Sequence, residues 1–114
     1  MLYTFDDEWN GQVVHEFKMK EDDVSYMGLH FPASDIPKVA RDLYFINKVR
    51  IIFDITKPEV PITGGKLDMK KCMLRGVAPM HVEYMTNMGI KGSISLAIDV
   101  EKLDGLLVFH SYQG

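Results

Sequence analysis

The apolar positions along this chain change period several times, and each change marks an element. Met1 to Phe5 alternates weakly and predicts a strand, with Asp6-Asp7-Glu8-Trp9-Asn10-Gly11 as a turn and Gln12 to Lys18 as a second strand, making a hairpin. Ile36, Val39, Ala40, Leu43 and Tyr44 recur at helical spacing and predict a helix from Ile36 to Asn47. Val49 to Ile55 is a β-branched run that reads as a buried strand, and Thr56 to Lys66, with Pro58, Pro61, Gly64 and Gly65, reads as a loop. Leu67 to Arg75 fits neither period. Pro79 to Met88 has the composition of a helix stopped by Gly89. Two strands follow, Lys91 to Asp99 and Leu103 to Tyr112, with a turn around Val100-Glu101-Lys102. The order β-β-α-β-loop-α-β-β predicts an α+β domain, an antiparallel sheet with helices against it.

One junction is unusually constrained. In Phe31-Pro32-Ala33-Ser34-Asp35-Ile36-Pro37 each proline fixes its own φ and biases the residue before it away from helix. This predicts Ser34 or Asp35 as the helix N-cap and Pro37 in the first turn, where a missing N–H costs nothing. Such a turn can hold Asp35 and its carbonyl at a fixed place in a cleft; taken alone, these seven residues read in preference as simply a well-capped helix start. The sheet itself needs cover on both faces, yet the chain starts inside a strand and stops just after one. The expectation is therefore a domain truncated at both ends, with exposed apolar sheet surface and a tendency to self-associate as a homodimer.

Composition narrows the function classes. The 114 residues, 46% hydrophobic and 25% charged, suffice for a single core. A net charge of −3 without a basic stripe argues against nucleic acid. No apolar run approaches the roughly 20 residues of a membrane span and no signal pattern opens the chain, so the expected compartment is the cytoplasm. The single cysteine, Cys72, excludes an internal disulfide, and the four histidines are too dispersed to suggest a metal site. The eight methionines read as core filling.

The candidate chemistry lies downstream. On a helix beginning at Pro79, His81 and Tyr84 stand three apart and share a face, with Arg75 just ahead of it. Arg50 supplies a second guanidinium, and Ser93, Ser95 and His110 fall on the last two strands at positions that can share one side. Two arginines, two serines and two histidines suit an elongated ligand with carboxylates, since guanidinium pairs bidentately with carboxylate and the hydroxyls and imidazoles take its other polar atoms. Tyr3, Phe31 and Tyr44 can wall its apolar body. Each of these residues singly has a duller reading, as surface arginine, satisfied histidine, neutral strand serine or packing tyrosine. An enzyme using His81 with Glu83 or Asp35 as an acid/base pair is disfavoured: no nucleophile has an oriented partner, and helix neighbours two apart point to different faces.

Several separate motifs share one resemblance. Phe31 to Pro37, Ala40-Arg41-Asp42-Leu43-Tyr44, Val49-Arg50, Leu74-Arg75, Pro79-Met80-His81-Val82-Glu83-Tyr84-Met85-Thr86-Asn87-Met88-Gly89, Ser93-Ile94-Ser95 and Gly105-Leu106-Leu107-Val108-Phe109-His110 occur in the order of the bilin-binding GAF domain of phytochromes, which the chain closely resembles over nearly its whole length. Tyr3-Thr4-Phe5 to Trp9-Asn10-Gly11-Gln12-Val13-Val14 resembles that domain's first hairpin.

The resemblance implies that the Asp35 main-chain carbonyl accepts hydrogen bonds from pyrrole N–H groups of a linear tetrapyrrole, biliverdin or a related bilin, in a pocket that also includes Ile36, Pro37 and Met80. It implies that Arg50 and Arg75 hold one propionate beside Tyr44, that Ser93 and Ser95 serve the other, and that His81 stacks near the inner rings. His110 is implied to hydrogen-bond the carbonyl of the terminal ring, which turns in a space lined by Tyr3, Phe31 and Tyr84. There are departures. Met80 stands where plant and many cyanobacterial members carry the thioether cysteine, and the bacterial type attaches biliverdin through a cysteine ahead of its first domain, outside this chain. Cys72 is off the motif and reads as a structural thiol, the Thr56 to Lys66 loop is short, and Asp104 stands where an aromatic is common.

The resulting expectation is a single GAF domain over residues 1–114, a fragment of a phytochrome-like red/far-red photoreceptor. It is expected to bind bilin noncovalently or through a cysteine outside the chain, and not to be an enzyme in itself; an output domain such as a histidine kinase would lie beyond it. The alternative is a GAF domain without chromophore, acting as a small-ligand sensor or dimerisation module. Against it stands the joint presence of Asp35, Arg50, Arg75, His81, Ser93 and His110.

Overall fold

The computed structural model describes residues 1–99 and 102–113. Six strands, β1 (Leu2–Phe5), β2 (Gly11–His15), β3 (His30–Phe31), β4 (Val49–Ile52), β5 (Gly92–Asp99) and β6 (Leu103–Ser111), form one sheet in the order β3-β2-β1-β6-β5-β4. Every neighbouring pair in it is antiparallel. Two helices, α1 (Lys38–Ile46) and α2 (Pro79–Asn87), accompany it. The α+β architecture expected from the sequence is thus present, with β3 as an addition too short to show a period of its own.

The sheet joins the two ends of the chain. β1 pairs with β6, setting Tyr3 against Leu106, while β5 and β6 form the longest ladder, from Gly92↔Ser111 to Asp99↔Leu103. Because side chains alternate across a strand, this register places Tyr3, Val13, Leu106, Val108, His110, Ser93, Ser95, Arg50 and Ile52 on one face. Two apolar clusters occupy that face. One is built on Tyr3, Val13, Leu103, Leu106 and Val108, with Tyr44 of α1 and Ile36 packed against it. The other is built on Ile52, Met85 and Ile90, with Val77, Tyr84 and Met88 beside it. The opposite face carries Ile94, Ile98 and Phe109, exposed by 42%, 38% and 52%, so its apolar surface is open as expected.

Several boundaries differ from expectation for physical reasons. The second strand ends at His15, not Lys18, because Glu16 turns its carboxylate onto the Ser25 hydroxyl (2.6 Å) and the Tyr26 amide (2.7 Å) and starts a loop. The fourth strand ends at Ile52, not Ile55: Phe53 is exposed, and the Asp54 carboxylate takes the Thr56 amide and hydroxyl in a local turn. Leu67 to Arg75 forms no element beyond a single parallel bridge between Leu74 and Ile51. Neither Ser34 nor Asp35 caps α1. Ala33–Asp35 is spent in one 3-10 turn, Ile36 lies outside the helical region (φ −125°, ψ 83°), and Pro37 is itself the N-cap, its carbonyl accepting from the Ala40 and Arg41 amides. The stop at Gly89 is as expected: its φ of +71° lets the Gly89 and Ile90 amides close back on the Thr86 and Met85 carbonyls. Val100 and Glu101 of the expected β5–β6 turn lie outside the described residues.

The close approach of β1 and β6 depends on Gly105, where an added Cβ would stand 2.4 Å from the Tyr3 carbonyl oxygen, a backbone atom with no room to yield. Gly105→Ala is therefore expected to destabilise the domain by about 1–3 kcal/mol, measured as a lower urea midpoint with an unchanged m-value.

Candidate functional site

Between the two apolar clusters the same sheet face turns polar. Arg50 of β4 lies opposite Ser95 of β5, and Ser93 lies opposite both Ile52 and His110. Both serines are buried, each only 8% exposed. Tyr44 of α1 lies beside this floor: burial raises its pKa against the opposing pull of the Ser95 hydroxyl and of Arg50 and Arg75.

Two arginines stand beside it, their charges acting on each other. Arg50 donates from Nη1 and Nη2 to the Arg75 carbonyl (both 3.3 Å) and from Nη2 to the Gly76 carbonyl (2.9 Å), fastening the loop that leads into α2. Burial lowers the Arg50 pKa, and the neighbouring charge of Arg75 lowers it further. Among the described residues the ion pairs are Lys38–Asp42, Lys48–Asp99 and Lys102–Asp7, none of which involves either arginine. Arg75 Nε is buried without a hydrogen-bond partner. A buried donor of this kind, on a cation lacking a counter-ion, is costly to leave unpaired and marks where an anion fits.

The aromatic wall comes from α2 and the first hairpin. His81 and Tyr84, one helical turn apart, stack with ring centroids 5.8 Å apart at an interplanar angle of 12°. Burial lowers the His81 pKa, with Arg50 adding to it. His110 is pushed down to about 4, first by burial, then by the N-terminal ammonium and His81. Both imidazoles are therefore neutral near pH 7, each with one donor and one acceptor nitrogen. Tyr3 is pushed up to about 12 by burial, with Tyr84 and Asp35 adding to it, and its ring lies 5.9 Å from that of Phe31. The Asp35 carboxylate likewise acts on Tyr84, which places the turn containing Asp35 beside this wall.

Eleven of the predicted residues, Tyr3, Phe31, Asp35, Tyr44, Arg50, Arg75, His81, Tyr84, Ser93, Ser95 and His110, are thereby linked along one side of the sheet by ring contacts, hydrogen bonds, strand pairing or electrostatic action. Three are less involved. Pro37 is an exposed N-cap, Met80 is 81% exposed, and the Ile36 carbonyl is already taken by the Arg41 guanidinium at 2.8 Å. Cys72 sits apart, its sulfur 3.9 Å from that of Met69. Sequence reasoning missed Tyr26, whose ring meets His110 edge-on at 6.2 Å and whose pKa burial raises to about 12. It stands in a polar loop with no period, and only a contact 84 residues away in sequence brings it to the site.

The low His110 pKa has a consequence for stability. An unfolded histidine takes up its proton near pH 6.5 but the folded one only near 4, so the contribution is fully present above 6.5 and is lost as pH falls through that window. The loss is on the order of 2 kcal/mol for a ring that solvent still partly reaches. Urea midpoints should fall between pH 6.5 and 4 more steeply in the wild type than in His110→Gln; equal slopes would contradict the assignment.

No model of a known protein family matches the chain. Among curated proteins it is 45% identical over 118 residues to cyanobacterial phytochrome B of Nostoc, covering 96% of this chain and 16% of that protein. It is 42% identical over 120 residues to the bacteriophytochrome of Xanthomonas campestris, covering 98% of this chain and 19% of the relative. The chain therefore spans less than a fifth of the length of these relatives. Among solved structures, the chromophore-binding domain of Stigmatella aurantiaca phytochrome P1 superposes with a TM-score of 0.88 at 42% identity, covering 99% of this chain and 39% of that one. The chromophore-binding domain of an unusual bacteriophytochrome from R. palustris gives 0.88 at 39% identity, covering 97% and 40%. By sequence and by three-dimensional structure, the chain is a homologue of the phytochromes and carries the GAF-like fold of their chromophore-binding domain.

Proposed function

We propose that residues 1–114 are a single bilin-binding photosensory module from a phytochrome-like red/far-red photoreceptor. The observation that carries the reading is the un-neutralised Arg50–Arg75 pair, with its orphaned Nε, set beside buried serines and neutral histidines on one side of the sheet. This donor set fits a dicarboxylate with an extended aromatic body, as a linear tetrapyrrole is. The pigment, biliverdin or a related bilin, supplies light absorption and double-bond isomerisation when bound.

The chain's own residues bind and orient. Arg50 and Arg75 hold one propionate with Tyr44 beside them, and Ser93 and Ser95 offer hydroxyls to the other. His81 presents a flat neutral ring already aligned by Tyr84, and His110 donates to a terminal-ring carbonyl. Tyr3, Phe31 and Tyr84, with Tyr26, close the apolar end, and the Asp35 carbonyl faces the pyrrole N–H groups with Ile36 and Pro37 shaping its turn. Met80 offers no thiol, and Cys72 lies off this wall, so attachment is noncovalent or through a cysteine outside the chain. The module is not an enzyme in itself; an output domain such as a histidine kinase, homodimerisation and a cytoplasmic location complete the reading of the parent protein. Among the described residues no helix is long and apolar enough to cross a membrane.

Adding biliverdin to the purified chain is expected to produce a red absorption band, with little pigment retained on denaturing electrophoresis in zinc. Absence of any spectral change would move the chain to the chromophore-free alternative. His110→Ala should shift or weaken the band, whereas Cys72→Ala should leave it intact; loss of pigment in Cys72→Ala would reassign the attachment site.

A further inference from the structure

The turn containing Asp35 lacks the cap that its sequence suggests, and something else holds it. Its two ends are tied to the β1–β2 turn. At the start, the Ala33 amide donates to the Asn10 side-chain oxygen at 3.2 Å. At the end, Arg41 Nη1 donates to the Ile36 carbonyl at 2.8 Å, and the same guanidinium lies over the Trp9 indole, 4.7 Å from its centroid. Arg41 takes part in none of the ion pairs among the described residues.

Trp9 is itself held in an unfavourable conformation to make this contact. Its φ is +67°, the left-handed region that costs a non-glycine residue about 1 kcal/mol or more. The Asp6 carboxylate maintains it, accepting from the Glu8 and Asn10 amides at 2.9 Å each and from the Asn10 side-chain amide at 3.1 Å. The indole then meets Phe5 edge-on at 5.6 Å, and Phe5 meets Tyr3 at 5.2 Å. A continuous run of contacts leads from the buried Tyr3 through Trp9 to Arg41 and the Ile36 carbonyl.

We propose that Arg41, supported by Trp9, is a positioning residue that sets the place of the Asp35 carbonyl by clamping the peptide that follows it. The claim rests on the bilin reading for its functional consequence, but the clamp belongs to the chain itself. A planar guanidinium can donate in its plane to the carbonyl while its face lies on the indole, and an ammonium cannot do both.

Two measurements on the full chain test it. In the pigment-free protein, Arg41→Met should speed amide hydrogen exchange at Ala33 and Asp35 by about tenfold while leaving the β5–β6 amides unchanged. With biliverdin added, the same variant should bind about tenfold more weakly and show a displaced red band, and Arg41→Lys should recover little of either. Trp9→Leu, which removes the ring face and leaves Arg41 in place, should move both readouts in the same direction and serves if Arg41→Met fails to fold. Unchanged exchange at Ala33 and Asp35 would overturn the clamp. A wild-type protein with a red band that neither variant alters would overturn the positioning role alone, whereas a wild type with no band would sink the bilin reading and the role with it.

Discussion

Two arginines whose charges act on each other, neither in an ion pair among the described residues, constrain much else at this site. Like charges repel, and partial burial of Arg50 strengthens the repulsion, which acceptor groups of the surrounding backbone offset. Arg50 donates three bonds to the carbonyls of Arg75 and Gly76. Those bonds also hold the loop that leads into α2, the helix that carries His81 and Tyr84. The positive pair is therefore both the anion-seeking feature and the fastener of the wall beside it.

The sheet makes this possible through its long-range pairing. Arg50, Ser95 and Val108 lie in adjacent rows of β4, β5 and β6, so a single ladder delivers the cation, the hydroxyl and the apolar floor in register. A slip of one residue in β5 would send Ser93 and Ser95 to the open face and bring Ile94 inward. The ladder's other border, β6 with β1, carries Tyr3 into the same face, and Gly105 permits the approach. Precision at the polar floor is thus inherited from the β4–β5 and β5–β6 ladders, and the β1–β6 border adds a pairing between the two ends of the sequence.

Much of this was visible in the sequence, and the remainder divides by cause. Elements with strong period or clear punctuation, such as Lys91 to Asp99 and the helix ended by Gly89, formed where expected. The errors fell where a local hydrogen bond outweighed propensity: Glu16 and Asp54 ended strands whose apolar runs continued, and the Ile36–Pro37 pair pushed the helix start past Ser34 and Asp35. Arg50, Arg75, His81 and His110 stood out because guanidiniums and imidazoles together suit a ligand with carboxylates, and the structure links them along one side of the sheet. Tyr26, Trp9 and Arg41 carried no comparable signal, since their significance lies in contacts with partners that no spacing reveals.

The histidines follow from the arginines. Burial is the larger influence on His81, but Arg50 adds to it, so the imidazole stays neutral partly because positive charge beside it is uncompensated. An anion settled on Arg50 and Arg75 would cancel that contribution and raise the His81 pKa. By linkage, whatever raises the proton affinity of His81 upon binding is itself bound more tightly when His81 is protonated. His110 is depressed first by burial and then by the N-terminal ammonium and His81, with no direct part played by Arg50, so it would respond less. The two imidazoles, similar in burial and both neutral at pH 7, are thus made chemically distinct by distance from one cationic pair: one answers to the charge of what occupies the site, the other to how completely water is excluded from it.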